Sequence, residues 1–111
     1  MKYVMFVVVD PALKAEAHEN DISIEQWLDE VKDQRIVGEA LRPTSDATTV
    51  RVSGGEVLVS DGPFTESKEW IVGFDLLDCA DLDEAIKIAS RHPQANGGKL
   101  ELRPVWDLSE E

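Results

Sequence analysis

Hydrophobic and polar positions along the chain change period several times, and each change marks an element. Lys2 to Val9 is apolar on both faces, the pattern of an interior strand covered on two sides, and Asp10-Pro11 ends it. Residues 12–22 are polar and Ala-rich, which fits either a short helix or an ordered loop. Ser23 and Gln26 then form an S-x-x-Q capping box, with Ile22 placed to staple onto Trp27. Ile24, Trp27, Leu28 and Val31 recur at helical spacing and predict one apolar face through about Gln34. Ile36 to Leu41 reads as a strand stopped by Arg42-Pro43.

Thr48–Ser53 and Glu56–Ser60 flank Gly54-Gly55, a two-residue hairpin turn. That register sets Val52 opposite Val57 and Val50 opposite Val59, with Arg51 and Leu58 on the other side. Trp70 to Leu77 alternates, which predicts Trp70, Val72, Phe74 and Leu76 on one face. Asp81 caps a second helix whose buried stripe is expected to be Leu82, Ala85, Ile86 and Ala89. Acids lead its first turn, Lys87 and Arg91 close its last, and His92-Pro93 ends it. Gly97-Gly98 turns the chain into a final strand, Lys99–Val105.

The order is βαβ, a hairpin, then βαβ. It predicts an α+β, ferredoxin-like plan: an antiparallel sheet with both helices on one face. The opposite face then carries apolar side chains that nothing from this chain covers, which argues for a homodimer through the sheet.

Composition narrows the function. At 111 residues the chain is expected to be one domain with a modest core. The longest apolar run, Tyr3–Val9, is too short for a membrane span and lacks a signal peptide's features, so no membrane partner and a cytoplasmic location are expected. A formal charge of −12, without a Lys/Arg cluster, argues against direct nucleic-acid binding. Cys79 is the single cysteine, and with His18 and His92 as the two histidines no spacing suits a metal; neither metal nor cofactor is expected.

The segment Asp61-Gly62-Pro63-Phe64, followed by Thr65-Glu66-Ser67-Lys68-Glu69, lies between two strands in a stretch that no core needs. Gly62 and Pro63 make a stiff, directed connection. The segment either lines a ligand pocket or locks the hairpin against a partner subunit. In the first case Phe64 anchors it, Lys68 holds an anionic or carbonyl group, and Asp61, Glu66 or Glu69 accepts a proton. In the second, these charges pair with one another or face water. His92, at a structural corner, suits general acid/base work, or is a helix-end histidine favoured by the dipole. His18 lies in the ambiguous polar stretch. Cys79 precedes the second helix, where the dipole lowers a thiol pKa, or is a small buried residue. Arg51 and Arg103 either sit in a cleft or pair with Glu39 or Glu101. Trp27, Trp70 and Trp106 are expected in the core or at a dimer interface.

Gly38-Glu39-Ala40-Leu41, Thr48-Thr49-Val50-Arg51, the 61–69 segment, Gly73-Phe74, Asp83-Glu84-Ala85 and Glu101-Leu102-Arg103-Pro104 together resemble the DGPF branch of the YCII-related proteins. The resemblance implies a dimeric α+β barrel in which two ferredoxin-like sheets pack together. In the wider group it also implies a His/Asp pair in a cleft, the His near the start of the first helix and the Asp before a proline after the second. Those positions fall near Ser23 and at His92, so this chain departs from the pair at both. Gene neighbourhoods of the DGPF branch imply an association with sigma factors. Three classes follow: a cofactor-free enzyme performing proton transfer, elimination or isomerisation on a small polar molecule, a non-catalytic ligand sensor, or a module that binds a protein such as a sigma factor.

Overall fold

A computed structural model describes residues 1–63 and 68–110. Among these residues six strands and two α-helices follow in the order β1 (Lys2–Val9), α1 (Ile24–Glu30), β2 (Arg35–Ala40), β3 (Thr48–Ser53), β4 (Glu56–Asp61), β5 (Trp70–Asp78), α2 (Leu82–Arg91) and β6 (Lys99–Pro104). Four strands form an antiparallel sheet in the order β2-β5-β1-β6, and β3-β4 forms a separate hairpin. The architecture is α+β.

β1 occupies the centre, as its two-sided apolar pattern requires. Its pairing sets Tyr3 against Leu77, Met5 against Asp75 and Val7 against Gly73, all on the helix side. Tyr3, Met5, Val7 and Leu77 form one core with Trp27 and Val31, contributed from α1 and the residue after it, and Ala85, Ile88 and Ala89 from α2. Fully burying an aliphatic or aromatic side chain of this kind contributes roughly 1.5–3 kcal/mol, so this layer dominates stability. Val4, Phe6, Phe74 and Leu76 alternate onto the other side of the sheet and are only half-buried.

The capping box forms as the sequence predicts. Ser23 Oγ accepts from the Gln26 N–H at 3.1 Å, and Gln26 Oε1 accepts from the Ser23 N–H at 2.9 Å. The helix is shorter than its expected reach to Gln34, because the polar run Lys32-Asp33-Gln34 turns the chain into β2.

Two expectations need correction. The stripe of α2 is Ala85, Ile88 and Ala89, while Leu82 and Ile86 are each 49% exposed. Trp27 packs against the stripe side of α2, where its indole N–H donates to the Ile88 carbonyl at 2.9 Å. The alternation of β5 is also broken. A bulge between Val7 and Val8 leaves Val72 as an extra residue opposite them, and Val72 packs on the core instead of joining Phe74 and Leu76.

The hairpin follows its sequence more closely. Val50 pairs with Val59, Arg51 with Leu58 and Val52 with Val57. Gly54 and Gly55 take φ of 57° and 81°, as a type I′ turn demands. Gly62, also left-handed, donates its N–H to the Ala47 carbonyl at 2.7 Å and closes the base of the hairpin. The four valines remain 61–66% exposed.

Candidate functional site

Arg35, Asp75 and His92 line one cleft together. Asp75 is in the middle of β5, between Phe74 and Leu76, and the pleat turns it to the helix side. It is 6% exposed. A carboxylate at such depth needs a partner, and the Arg35 Nε–H donates to Oδ1 at 2.6 Å. Gly38, opposite Asp75 on β2, makes room for the pair. A Cβ at position 38 would lie 2.0 Å from Asp75 Oδ1 and 2.5 Å from an Arg35 Nη atom.

His92 caps α2. The proline that follows holds it in extended backbone, and its N–H donates to the Ala89 carbonyl at 3.1 Å. The ring stands edge-on to Trp27, with centroids 4.7 Å apart. Its Nδ1 accepts the Gln94 N–H at 2.9 Å, capping the 3-10 turn Pro93–Ala95. Accepting at Nδ1 puts the proton of the neutral imidazole on Nε2. Burial holds the His92 pKa below its usual value, and the nearby Asp75 charge offsets part of that effect.

These side chains border a cleft of about 320 Å³, closed elsewhere by Val7, Trp27, Leu28, Gly38 and Val72. Every fully buried side-chain nitrogen and oxygen among the described residues has a hydrogen-bond partner. Among those residues neither Asp75 Oδ2 nor His92 Nε2 makes a hydrogen bond, so both atoms keep access to open space. The lining thus combines an imidazole, the Arg35–Asp75 pair and the exposed Glu39 carboxylate with apolar walls.

Sequence reasoning singled out His92 and missed its neighbours. Two signals were available: an acid on the inward side of an apolar strand at Asp75, and a glycine inside a strand at Gly38, a mark of close approach.

Other candidate residues lie elsewhere. Asp61 ends β4 opposite Thr48 and is exposed, as is Lys68. Glu69 pairs with Lys99, whose Nζ also lies 3.4 Å from Asp10, tying the end of the segment to β1 and β6. Phe64 and Glu66 lie outside the described residues. Asp61, Lys68 and Glu69 are not among the described residues that border the His92 cleft. Residues 12–22 form an ordered loop without a helix. There His18 Nδ1 accepts the Asn20 N–H at 3.2 Å, and Asn96 Oδ1 holds the Glu16 N–H at 2.9 Å. This loop borders a second, more open cleft that shares His92.

Cys79 is 2% exposed, and burial pushes its thiol pKa up, with Glu84 and Asp78 adding to the effect. That is the buried-residue alternative, and the opposite of an activated thiol. Arg103 lies 3.7 Å from Glu101, while Arg51 is exposed. Trp27 is in the core and Trp106 is 74% exposed. Among the described residues no helix is long and apolar enough to cross a membrane.

A family profile for the YCII-related domain matches residues 1–109. The chain is also similar to an uncharacterised protein of Rhizobium meliloti (strain 1021), 51% identical over 67 residues that cover 59% of this chain. The matched stretch spans 54% of that relative's length. A match over nearly every residue, on an α+β sheet with two helices, places the chain in the YCII-related family.

Proposed function

We propose that this protein is a cofactor-free homodimer that binds a small molecule in the cleft between α1, β5 and the end of α2, and moves a proton on it. The observation that carries this reading is that Asp75 and His92 line one cleft together with apolar walls. Paired acid/base groups in a partly enclosed pocket are the usual setting of proton transfer. Arg35 and Gly38 act as positioning residues: one holds the Asp75 carboxylate, the other leaves room for it.

The strand order β2-β5-β1-β6 supports a ferredoxin-like plan, and the half-buried sheet face supports a dimeric barrel built from two such sheets. An apolar sheet side and the exposed valines of the hairpin give a second copy a self-complementary surface to close upon.

A thermal-shift screen against small metabolites tests the reading, run on the wild type and on His92→Phe, which keeps a ring against Trp27. A compound that stabilises the wild type and not the variant supports it. Stabilisation that is unchanged in the variant places the binding site elsewhere and sinks the assignment. Sedimentation velocity tests the dimer, and a monomer at micromolar concentration would refute it.

A further inference from the structure

We infer that the ligand of this cleft is an uncharged carbonyl compound, held at its oxygen by His92 Nε2–H, with Asp75 Oδ2 taking the proton from the adjacent carbon. The inference rests on the proposed small-molecule cleft and goes further, assigning a ligand class and dividing the roles.

Charge gives the first argument. The cation in the lining, Arg35, already lies on Asp75 Oδ1, so the two cancel locally. Glu39, exposed on the lining, adds a carboxylate, and the chain as a whole carries −12. An anionic ligand therefore meets no unmatched positive charge and a repulsive field. A cationic ligand would have to leave water for walls made largely of Val7, Trp27, Leu28 and Val72. A neutral ligand incurs neither penalty.

The tautomer gives the second argument. With Nδ1 accepting from Gln94, a neutral His92 offers the cleft a donor and no lone pair. It therefore recognises a hydrogen-bond acceptor and is not the base in the resting state. Of the two carboxylates in the lining Glu39 is exposed and Asp75 is buried, and the base assigned is Asp75 Oδ2, whose sister oxygen is held in place by Arg35. A donor for an oxygen and a base for a neighbouring carbon make up the minimum apparatus for enolisation.

Volume gives the third argument. At about 30 Å³ per water-sized group, 320 Å³ holds about ten non-hydrogen atoms.

The step balances within the site. The C–H bond next to the carbonyl breaks, and its proton goes to Asp75 Oδ2. The electron pair forms a C=C bond while the carbonyl π pair moves onto oxygen, where the His92 N–H hydrogen bond stabilises it. Returning the proton to the same carbon gives exchange. Returning it to the far carbon of a conjugated system gives isomerisation. Either route restores the Asp75 carboxylate.

Cyclohexanone and cyclohexanecarboxylate, similar in body and different in charge, serve as probes on the full chain. Two signals are read: the ¹⁵N shift of His92 Nε2, and deuterium uptake at the α carbons of the ketone in D₂O. The ketone is expected to move the His92 resonance at lower concentration than the carboxylate does, and to exchange faster with protein than in buffer. Asp75→Asn should lower the protein-dependent exchange by about 10²-fold while the ketone still moves His92. Should Asp75→Asn fail to fold, His92→Phe is expected to lose the protein-dependent exchange. Tighter binding of the carboxylate overturns the ligand class. Ketone binding without exchange, or exchange indifferent to Asp75→Asn, overturns the division of roles and leaves the cleft reading standing. If neither probe moves His92 or the Asp75 neighbourhood at saturating concentration, the cleft reading fails too.

Discussion

The four-stranded sheet and the β3-β4 hairpin solve the same problem, keeping strands paired, in opposite ways. In the sheet, β1 is held by partners distant in sequence, β5 and β6, and one side is sealed by both helices. In the hairpin, two glycines set the turn and every partner is local, yet the valines that register brings together stay in water. An isolated two-stranded hairpin is marginal in water. Definite geometry and a source of stability are therefore separate properties. The hairpin has the first from its own residues and needs a covering surface for the second, whereas the sheet and helices supply both.

Substitutions can break this contrast, beginning with the largest expected effect. Trp27→Ala removes a fully buried ring, its hydrogen bond to α2 and one wall of the cleft, and should cost about 3–5 kcal/mol in urea unfolding. Gly38→Ala should cost about 1–3 kcal/mol by forcing the Arg35–Asp75 pair to move, and the D₂O exchange reaction should fall with it. An unchanged midpoint and unchanged exchange would show that the pair tolerates the intrusion.

Acidification provides a subtler test. Burial depresses the His92 pKa, so below about pH 6.5 the unfolded chain binds the proton more readily than the folded one. The stability that neutral His92 contributes is fully present above that pH. It is lost as pH falls from there through the folded-state pKa. His92→Phe should flatten this part of the stability–pH curve, while an unchanged slope would assign it to other groups.

The smallest effect is expected in the hairpin. Val50→Ser with Val59→Ser should change the stability of the monomeric chain by no more than about 0.5 kcal/mol per site. The same pair should weaken self-association in sedimentation velocity. Equal loss in dilute and concentrated samples would mean that the valines pack within their own chain.

What was legible in the sequence divides along the same line. Gly54-Gly55 and the spacing of the valines define the hairpin register, and Ser23-x-x-Gln26 defines where α1 begins, because each depends on residues within a few positions of one another. The stripe of α2 packs against Trp27, whose indole bonds to Ile88, 61 residues away. The bulge at Val72 depends on how β5 meets β1. The candidate site suffered most from this distance. His92 stood out as a histidine at a helix end, but Arg35 and Asp75 are 40 residues apart and meet only once β2 and β5 pair. The 61–69 segment is distinctive through its local Gly62-Pro63 pair, and residues 64–67 of it lie outside the described residues.

Trp27 carries an optical consequence. Its indole is shielded from water and lies edge-on against the imidazole that borders the cleft. Its emission should be blue-shifted, and it should dim when His92 gains a proton, because an imidazolium beside an excited indole quenches it. Trp70 and Trp106 emit from more exposed positions and contribute mainly at the red edge. The blue edge of the spectrum then reports the protonation and occupancy of the cleft, read with no label attached.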